Sequence, residues 1–265
     1  MKQYYKTLFF IFLVNGLAVA QSTDSLSVVE TTDRGQTAYD ETKILYRQEK
    51  YGGIFLHTRQ NGGLNYRDSK HLTALKRRLW SLEISALKHQ KEHKTSNPFF
   101  DEARQYVFGK KNELVVLRPS YGREKILYTK EVKRGVQIGM VYLFGPTIGF
   151  LKPVYLEIRN TTPSSGDRIV ISTEKYDETK HFPEKIYGRA PYLKGVDELQ
   201  IMPGIHTKFG FKFDYSSSDE KVRAIEVGAN LDVFYKSVPI MAITKNDQVF
   251  LTFYANLLFG KRTFY

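Results

Sequence analysis

Alternation is the clearest signal in the chain. In "LQIMPGIHTKFGFKFDY" (residues 199–215) one face carries Ile201, Ile205, Phe209, Phe211, Phe213 and Tyr215, and the other carries His206, Lys208, Lys212 and Asp214. Residues 224–235 repeat the pattern, with Ile225, Val227, Leu231 and Val233 opposing Glu226, Asn230 and Asp232. Residues 248–260 do the same, with Val249, Leu251, Phe253, Leu257 and Phe259 opposing Thr252, Tyr254 and Asn256. A spacing of two is the mark of a strand with one apolar face, and no helical spacing fits these segments. Similar segments lie upstream at 53–59, 77–87, 113–122 and 135–144. In 77–87, Trp80, Leu82, Ile84 and Ala86 share one side, and Ser81, Glu83 and Ser85 share the other.

The strands run about 10 to 16 residues, against five or six in ordinary sheets. That length crosses the hydrocarbon layer at a steep tilt. Their polar face carries charges of both signs: Glu83, Arg118, Lys208, Lys212, Glu226 and Asp232. On a soluble sandwich such a face would be solvated, whereas in a narrow barrel it turns inward and fills the lumen as a charge network. The expected fold is therefore all-β, an antiparallel transmembrane β-barrel over residues 46–265, in preference to an exported sandwich or a lipocalin-like fold. Eight strands are preferred, because two periplasmic termini require an even count. Eight result if Gly139–Ile158 forms two strands turning near Gly145-Pro146; if that stretch is one strand, another must exist elsewhere. "SSSDE" (216–220) reads as a periplasmic turn. Residues 159–198, with 7 Lys/Arg against 7 Asp/Glu, read as a long extracellular loop.

The N-terminus adds an address. Lys2 and Lys6 precede the apolar run "TLFFIFLVNGLAVA", which ends in Ala18-Val19-Ala20. This is the form of a cleaved signal peptide over residues 1–20. Residues 21–45 are polar and unpatterned and read as a flexible periplasmic tail. With no cysteine, a lipid-modified Cys, a disulfide framework and a thiolate metal site are all excluded. The net charge is +12 with a pI near 9.5. For an exported chain the accessible polyanions are lipid headgroups, lipopolysaccharide phosphates and peptidoglycan, not nucleic acid. The basic segments 70–78, 88–94 and 123–134 would grip lipid phosphates at a membrane face or simply be solvated loop charge.

One stretch raises a catalytic question. His89-Gln90-Lys91-Glu92-His93 matches H-x-x-E-H, a zinc-protease signature that needs both histidines one helical turn apart. Here it follows an alternating strand and runs into Pro98, so a polar turn is expected, with no metal and no cofactor. His206 and Glu83, with Ser81 and Ser85 nearby in pattern, are the candidates if a barrel-borne Ser/His/acid site exists. No G-x-S-x-G elbow accompanies them, and a structural ion network is the preferred role.

The segments "LRPSYGREKIL", "PGIHTKFGFKFDY" and "AIEVGANLDVFYKSVPIMA", with the ending "FLTFYANLLFGKRTFY", resemble small outer-membrane β-barrel proteins of Bacteroidetes-type bacteria. The likeness implies an outer-membrane location, surrounding lipids and lipopolysaccharide, and insertion by the barrel-assembly machinery. It carries no catalytic residue. The Phe-rich last strand resembles that machinery's recognition signal, although Lys261 and Arg262 suggest that the strand stops at Phe259. The leading functional expectation is a non-enzymatic structural or interaction protein of the envelope, an accessory subunit of a secretion or assembly complex with other envelope proteins as partners. A lipid- or lipopolysaccharide-modifying enzyme and a narrow pore are the alternatives.

Overall fold

In the computed structural model each long alternating segment is a strand of one closed sheet. The structure describes residues 48–264, apart from 60–61, 99, 101–102, 131–134 and 163–167. The expected signal peptide and tail lie outside the described residues. The strands are β1 (Gln48–His57), β2 (Gly63–Thr73), β3 (Lys76–Leu87), β4 (Lys94–Thr95), β5 (Tyr106–Val107), β6 (Asn112–Tyr128), β7 (Gln137–Pro153), β8 (Tyr155–Thr162), β9 (Arg168–Lys175), β10 (Ile186–Arg189), β11 (Gln200–Asp214), β12 (Lys221–Phe234) and β13 (Val249–Thr263). Eight of them close an antiparallel barrel in the order β1-β13-β12-β11-β7-β6-β3-β2.

The strand count is eight, by a different route from the one expected. Gly139–Ile158 does not turn at Gly145-Pro146; β7 runs unbroken from Gln137 to Pro153. Gly145 is there for closeness, because a Cβ on it would meet the Pro119 carbonyl oxygen at 2.2 Å. Leu117 opposite Ile148 and Tyr121 opposite Phe144 bring Pro119 across from Pro146. Two rings without N–H groups thus share one rung of the ladder, which confines the lost bonding. The missing strand is β2, which pairs with both β1 and β3. A second correction concerns the last strand. β13 continues past Phe259 to Thr263, with Lys261 outward and Arg262 turned inward, so the alternation is kept.

Faces follow parity. Outward positions form a band of exposed apolar side chains, among them Ile54, Leu82, Phe144, Phe209 and Phe253. Inward positions are polar and buried. Glu83 is 1% exposed, while its neighbour Leu82 is 47% exposed. Unpaired backbone cannot face hydrocarbon, and a closed sheet leaves no edge. A barrel apolar outside and charged inside is the form this requirement takes in an outer membrane, and the protein is a small outer-membrane β-barrel. The connections at one end (74–75, 129–136, 215–220) are short, and those at the other (58–62, 88–111, 154–199, 235–248) include three long ones. The short-turn end corresponds to the periplasmic end of outer-membrane barrels in general, and the long-loop end to their extracellular end.

Candidate functional site

The lumen is built in layers. Nearest the extracellular end, Leu87, Leu114, Val116, Leu151, Met202, Phe234 and Phe250 point inward from six strands and meet Val238, Ile240 and Met241 of the 235–248 connection. That loop folds back as an apolar plug. It is pinned by Asn246, whose side chain bonds the backbone of Ile240 and Met241.

Beneath the plug, Arg118 holds Asp232 with two bonds, of 2.8 and 2.7 Å, and reaches Ser85 Oγ at 3.1 Å. Thr147 donates to Asp232 (3.1 Å) and lies 3.2 Å from His206 Nδ1, while His206 Nε2 lies 3.2 Å from Ser120 Oγ. In the next layer Arg67 contacts Glu226 (2.9 Å at Nη2) and Glu83 (3.2 Å), and Lys208 pairs with Glu83. The Tyr254 hydroxyl donates to Glu226, and the Lys208 ammonium lies 3.9 Å from the Tyr254 ring centroid. Gly210 makes room for that tyrosine, since a Cβ there would sit 2.3 Å from its hydroxyl. Lower down, Arg77 and Lys212 share the carboxylates of Glu49 and Glu124. At the periplasmic mouth Arg262 joins Glu49 to Asp214, and Lys130 also reaches Asp214 at 2.9 Å.

The six charged residues read from the sequence as a lumen network all face inward and are buried. Arg118 and Asp232 make one cluster, Glu83, Lys208 and Glu226 the next, and Lys212 the third. The pattern missed Arg67, which lies in the unrecognised strand, and Glu49 at the start of β1. Arg77 and Glu124 were within reach, because they share the parity of Glu83 and Arg118. The two catalytic candidates are not bonded to each other: His206 sits between Ser120 and Thr147, and Glu83 sits between Arg67 and Lys208. The hydroxyl–imidazole–hydroxyl–carboxylate chain Ser120–His206–Thr147–Asp232 was not anticipated. Its members are 0–3% exposed, and the plug lies above them.

The extracellular connections form a cap with a core of their own. β8 pairs with β9 and β10 in a three-stranded sheet. Val154, Leu156, Ile158, Tyr176 and Ile186 pack there with Tyr106, Phe108 and Ala242. The 159–198 segment is thus largely a folded element. Polar contacts trim it: Lys175 pairs with Glu198 at 2.6 Å, and His181 Nε2 lies 3.1 Å from Glu174 Oε2. The Glu174 carboxyl is held below its ordinary value by the Ser172 hydroxyl and then by His181. Glu198 is held down likewise by Lys175 and then Tyr155. The cap also exposes apolar side chains, with Leu193 78%, Phe182 56% and Tyr192 55% accessible.

Where cap meets barrel wall there is a cleft of about 230 Å³ whose charged lining includes Lys88, Lys94, Lys110, Arg189, Glu92 and Glu113. Burial, followed by the charge of Lys94, pushes the Lys88 ammonium below its ordinary value. The H-x-x-E-H residues are at this edge and form a turn. Glu92 accepts from the His89 backbone N–H (2.9 Å) and from Lys110 (2.7 Å), and His89 Nε2 lies 3.3 Å from the Lys245 carbonyl. Among the described residues no group of three His, Asp or Glu side chains is arranged to hold a metal ion.

No protein-family model matches the chain, and no curated protein does. Among solved structures it is similar to Ail, the attachment invasion locus protein of Yersinia pestis, seen in complex with the heparin analogue sucrose octasulfate. The identity is 8% and the TM-score 0.40, over 83% of this chain and 99% of that one. It is also similar to Neisserial surface protein A, at 8% identity and a TM-score of 0.35, over 83% of this chain and 97% of that one.

Proposed function

We propose that the protein is a non-catalytic interaction protein of a Bacteroidetes-type outer membrane, an accessory subunit of a secretion or assembly complex whose contact surface is the extracellular cap. The observation that carries this reading is the contrast between a plugged, ion-paired lumen and a folded cap that leaves Leu193, Phe182 and Tyr192 in water. Large apolar side chains on a rigid external element suit contact with another protein. The basic cleft beneath the cap suits an anionic group of the outer leaflet, such as a lipopolysaccharide phosphate.

The test is co-purification from native outer membranes with the wild type and with Leu193→Asp and Phe182→Asp. Loss of envelope proteins from the variant eluates, with heat-dependent gel mobility unchanged, supports the reading. Identical eluates from all three sink it. The enzyme reading would require a route to His206, and His206→Ala is expected to leave the lipid composition of the membrane unchanged. The pore reading would require conductance steps in planar bilayers, which a filled lumen is not expected to give.

A further inference from the structure

Each cation named inside the barrel is ion-paired to a carboxylate, but among the described residues those on the outer wall at the periplasmic edge are not, and only Lys50 has one, Asp68, opposite it. Lys221, Lys261 and Lys50 stand directly opposite one another across β12, β13 and β1. Lys70, Arg78 and Arg123 do so across β2, β3 and β6. Lys76 stands opposite Lys125 one pleat further toward the periplasm, and Arg223 lies one pleat above Lys221. Arg78 is half-buried and the other eight are exposed. Among the described residues none of these nine joins an ion pair, because the nearby acids are engaged elsewhere or few. Glu49, Glu124 and Asp214 point inward to Arg77, Lys212 and Arg262. Asp68, outward and opposite Lys50, accepts from Gln48 at 2.7 Å, and Asp219 and Glu220 lie in the 215–220 turn.

Like charges directly opposite on a sheet repel, and three such rows in one band call for a counter-charge from outside the chain. The depth of the band says which. Trp80 and Tyr121 face each other on the outer wall with ring centroids 5.1 Å apart, and aromatic pairs of this kind mark the membrane interface. Arg78 and Arg123 are the next outward residues on those strands, about 7 Å further along them in the periplasmic direction. Phe259 stands in the same relation to Lys261, and Ile225 to Arg223. The band spans six neighbouring strands and stops at β7 and β11, where Met140 faces Lys125 and Phe211 faces Met140.

We propose that this collar binds the phosphates of anionic phospholipids in the periplasmic leaflet of the outer membrane, over six of the eight strands. The test uses the full-length mature chain in nanodiscs of phosphatidylcholine with and without phosphatidylglycerol, reading retained lipid by native mass spectrometry. The variant joins Lys76→Gln, Arg78→Gln, Arg123→Gln and Lys125→Gln, with Lys91→Gln, Lys111→Gln, Lys236→Gln and Lys245→Gln as a control on the extracellular side. Phosphatidylglycerol is expected to be retained over phosphatidylcholine by at least about tenfold in the wild type and control, and to lose that preference in the collar variant. Heat-dependent gel mobility checks folding. If the quadruple variant does not fold, the triple exchange of Lys50, Lys221 and Lys261 to Gln takes its place. Equal retention of the two lipids, a preference that survives in the variant, competition by 10 mM inorganic phosphate as complete as that by lipid, or preferential capture of peptidoglycan fragments would each overturn the proposal.

Discussion

The lumen and the periplasmic edge of the outer wall carry charge on opposite principles. Inside, Arg67, Arg77, Arg118, Lys208, Lys212 and Arg262 meet Glu49, Glu83, Glu124, Glu226, Asp214 and Asp232, cation for carboxylate. Outside, Lys261 stands between Lys50 and Lys221, and the one carboxylate in that row, Asp68 opposite Lys50, is bonded to Gln48. The difference lies in what surrounds each set. The lumen groups are out of reach of water, and a buried charge without a partner costs several kcal/mol. The outer groups lie at the level of lipid headgroups, where a counter-charge is available without any cost in folding the chain. A barrel wall one residue thick thus separates a region that must neutralise itself from one that need not.

The largest test of this contrast is to unbalance the lumen. Glu83→Ala leaves Arg67 and Lys208 competing for Glu226 and is expected to lower the unfolding free energy by about 3–5 kcal/mol. Urea titration of the heat-sensitive gel band reads it, and an unchanged midpoint would mean that water enters the lumen. Moving a charge to the neighbouring position should also be costly. Ile84→Arg places a cation deep in the apolar belt and should cost about 2–4 kcal/mol in vesicles, whereas Lys76→Gln at the edge should cost little. Equal values for the two would argue that the belt is not in hydrocarbon.

The plug sharpens the comparison from the other side. Ile240→Ala opens a cavity in the apolar mouth and should cost about 2–4 kcal/mol. Faster hydrogen exchange at Ser85 and His206 than in the wild type would show that the plug is what keeps water from the upper layer.

The smallest effect concerns pH. Glu174 and Glu198 have folded values below their ordinary 4.5, so their contribution is complete above that value and is lost as pH falls through the lowered ones. Both groups lie in the cap and are partly exposed, so acid should loosen the cap while the barrel holds. Exchange protection, corrected for intrinsic rates and compared at pH 7 and pH 3, is expected to fall in 155–198 and to persist in β11 to β13. Loss in both regions together would mean that cap and barrel open as one unit.

Alternation made most of the barrel legible, because a lipid outside and a filled inside impose opposite chemistry on successive residues of a strand. It failed at β2. There Asn65, Arg67 and Ser69 face the lumen while Asp68 and Lys70 face the headgroups, so half the strand is polar on both sides. It failed again at Gly145-Pro146, where a pair that usually marks a turn serves the close approach of β6 and β7. Glu83, Arg118, Lys208, Lys212, Glu226 and Asp232 share a parity that can be read along each strand, since facing is a local property. Their pairing was not legible, because Arg67 reaches Glu226 across 159 positions of sequence.

By itself, then, the sequence determined the material of the wall: strands long enough to cross a bilayer, apolar on one side and charged on the other. Tertiary structure decided which carboxylate answers which cation, that a surface loop folds back to close the mouth, and that the outward cations line up in rows. Periodicity along one strand specifies where a side chain points, while register between strands, set only when the sheet closes, specifies what it meets.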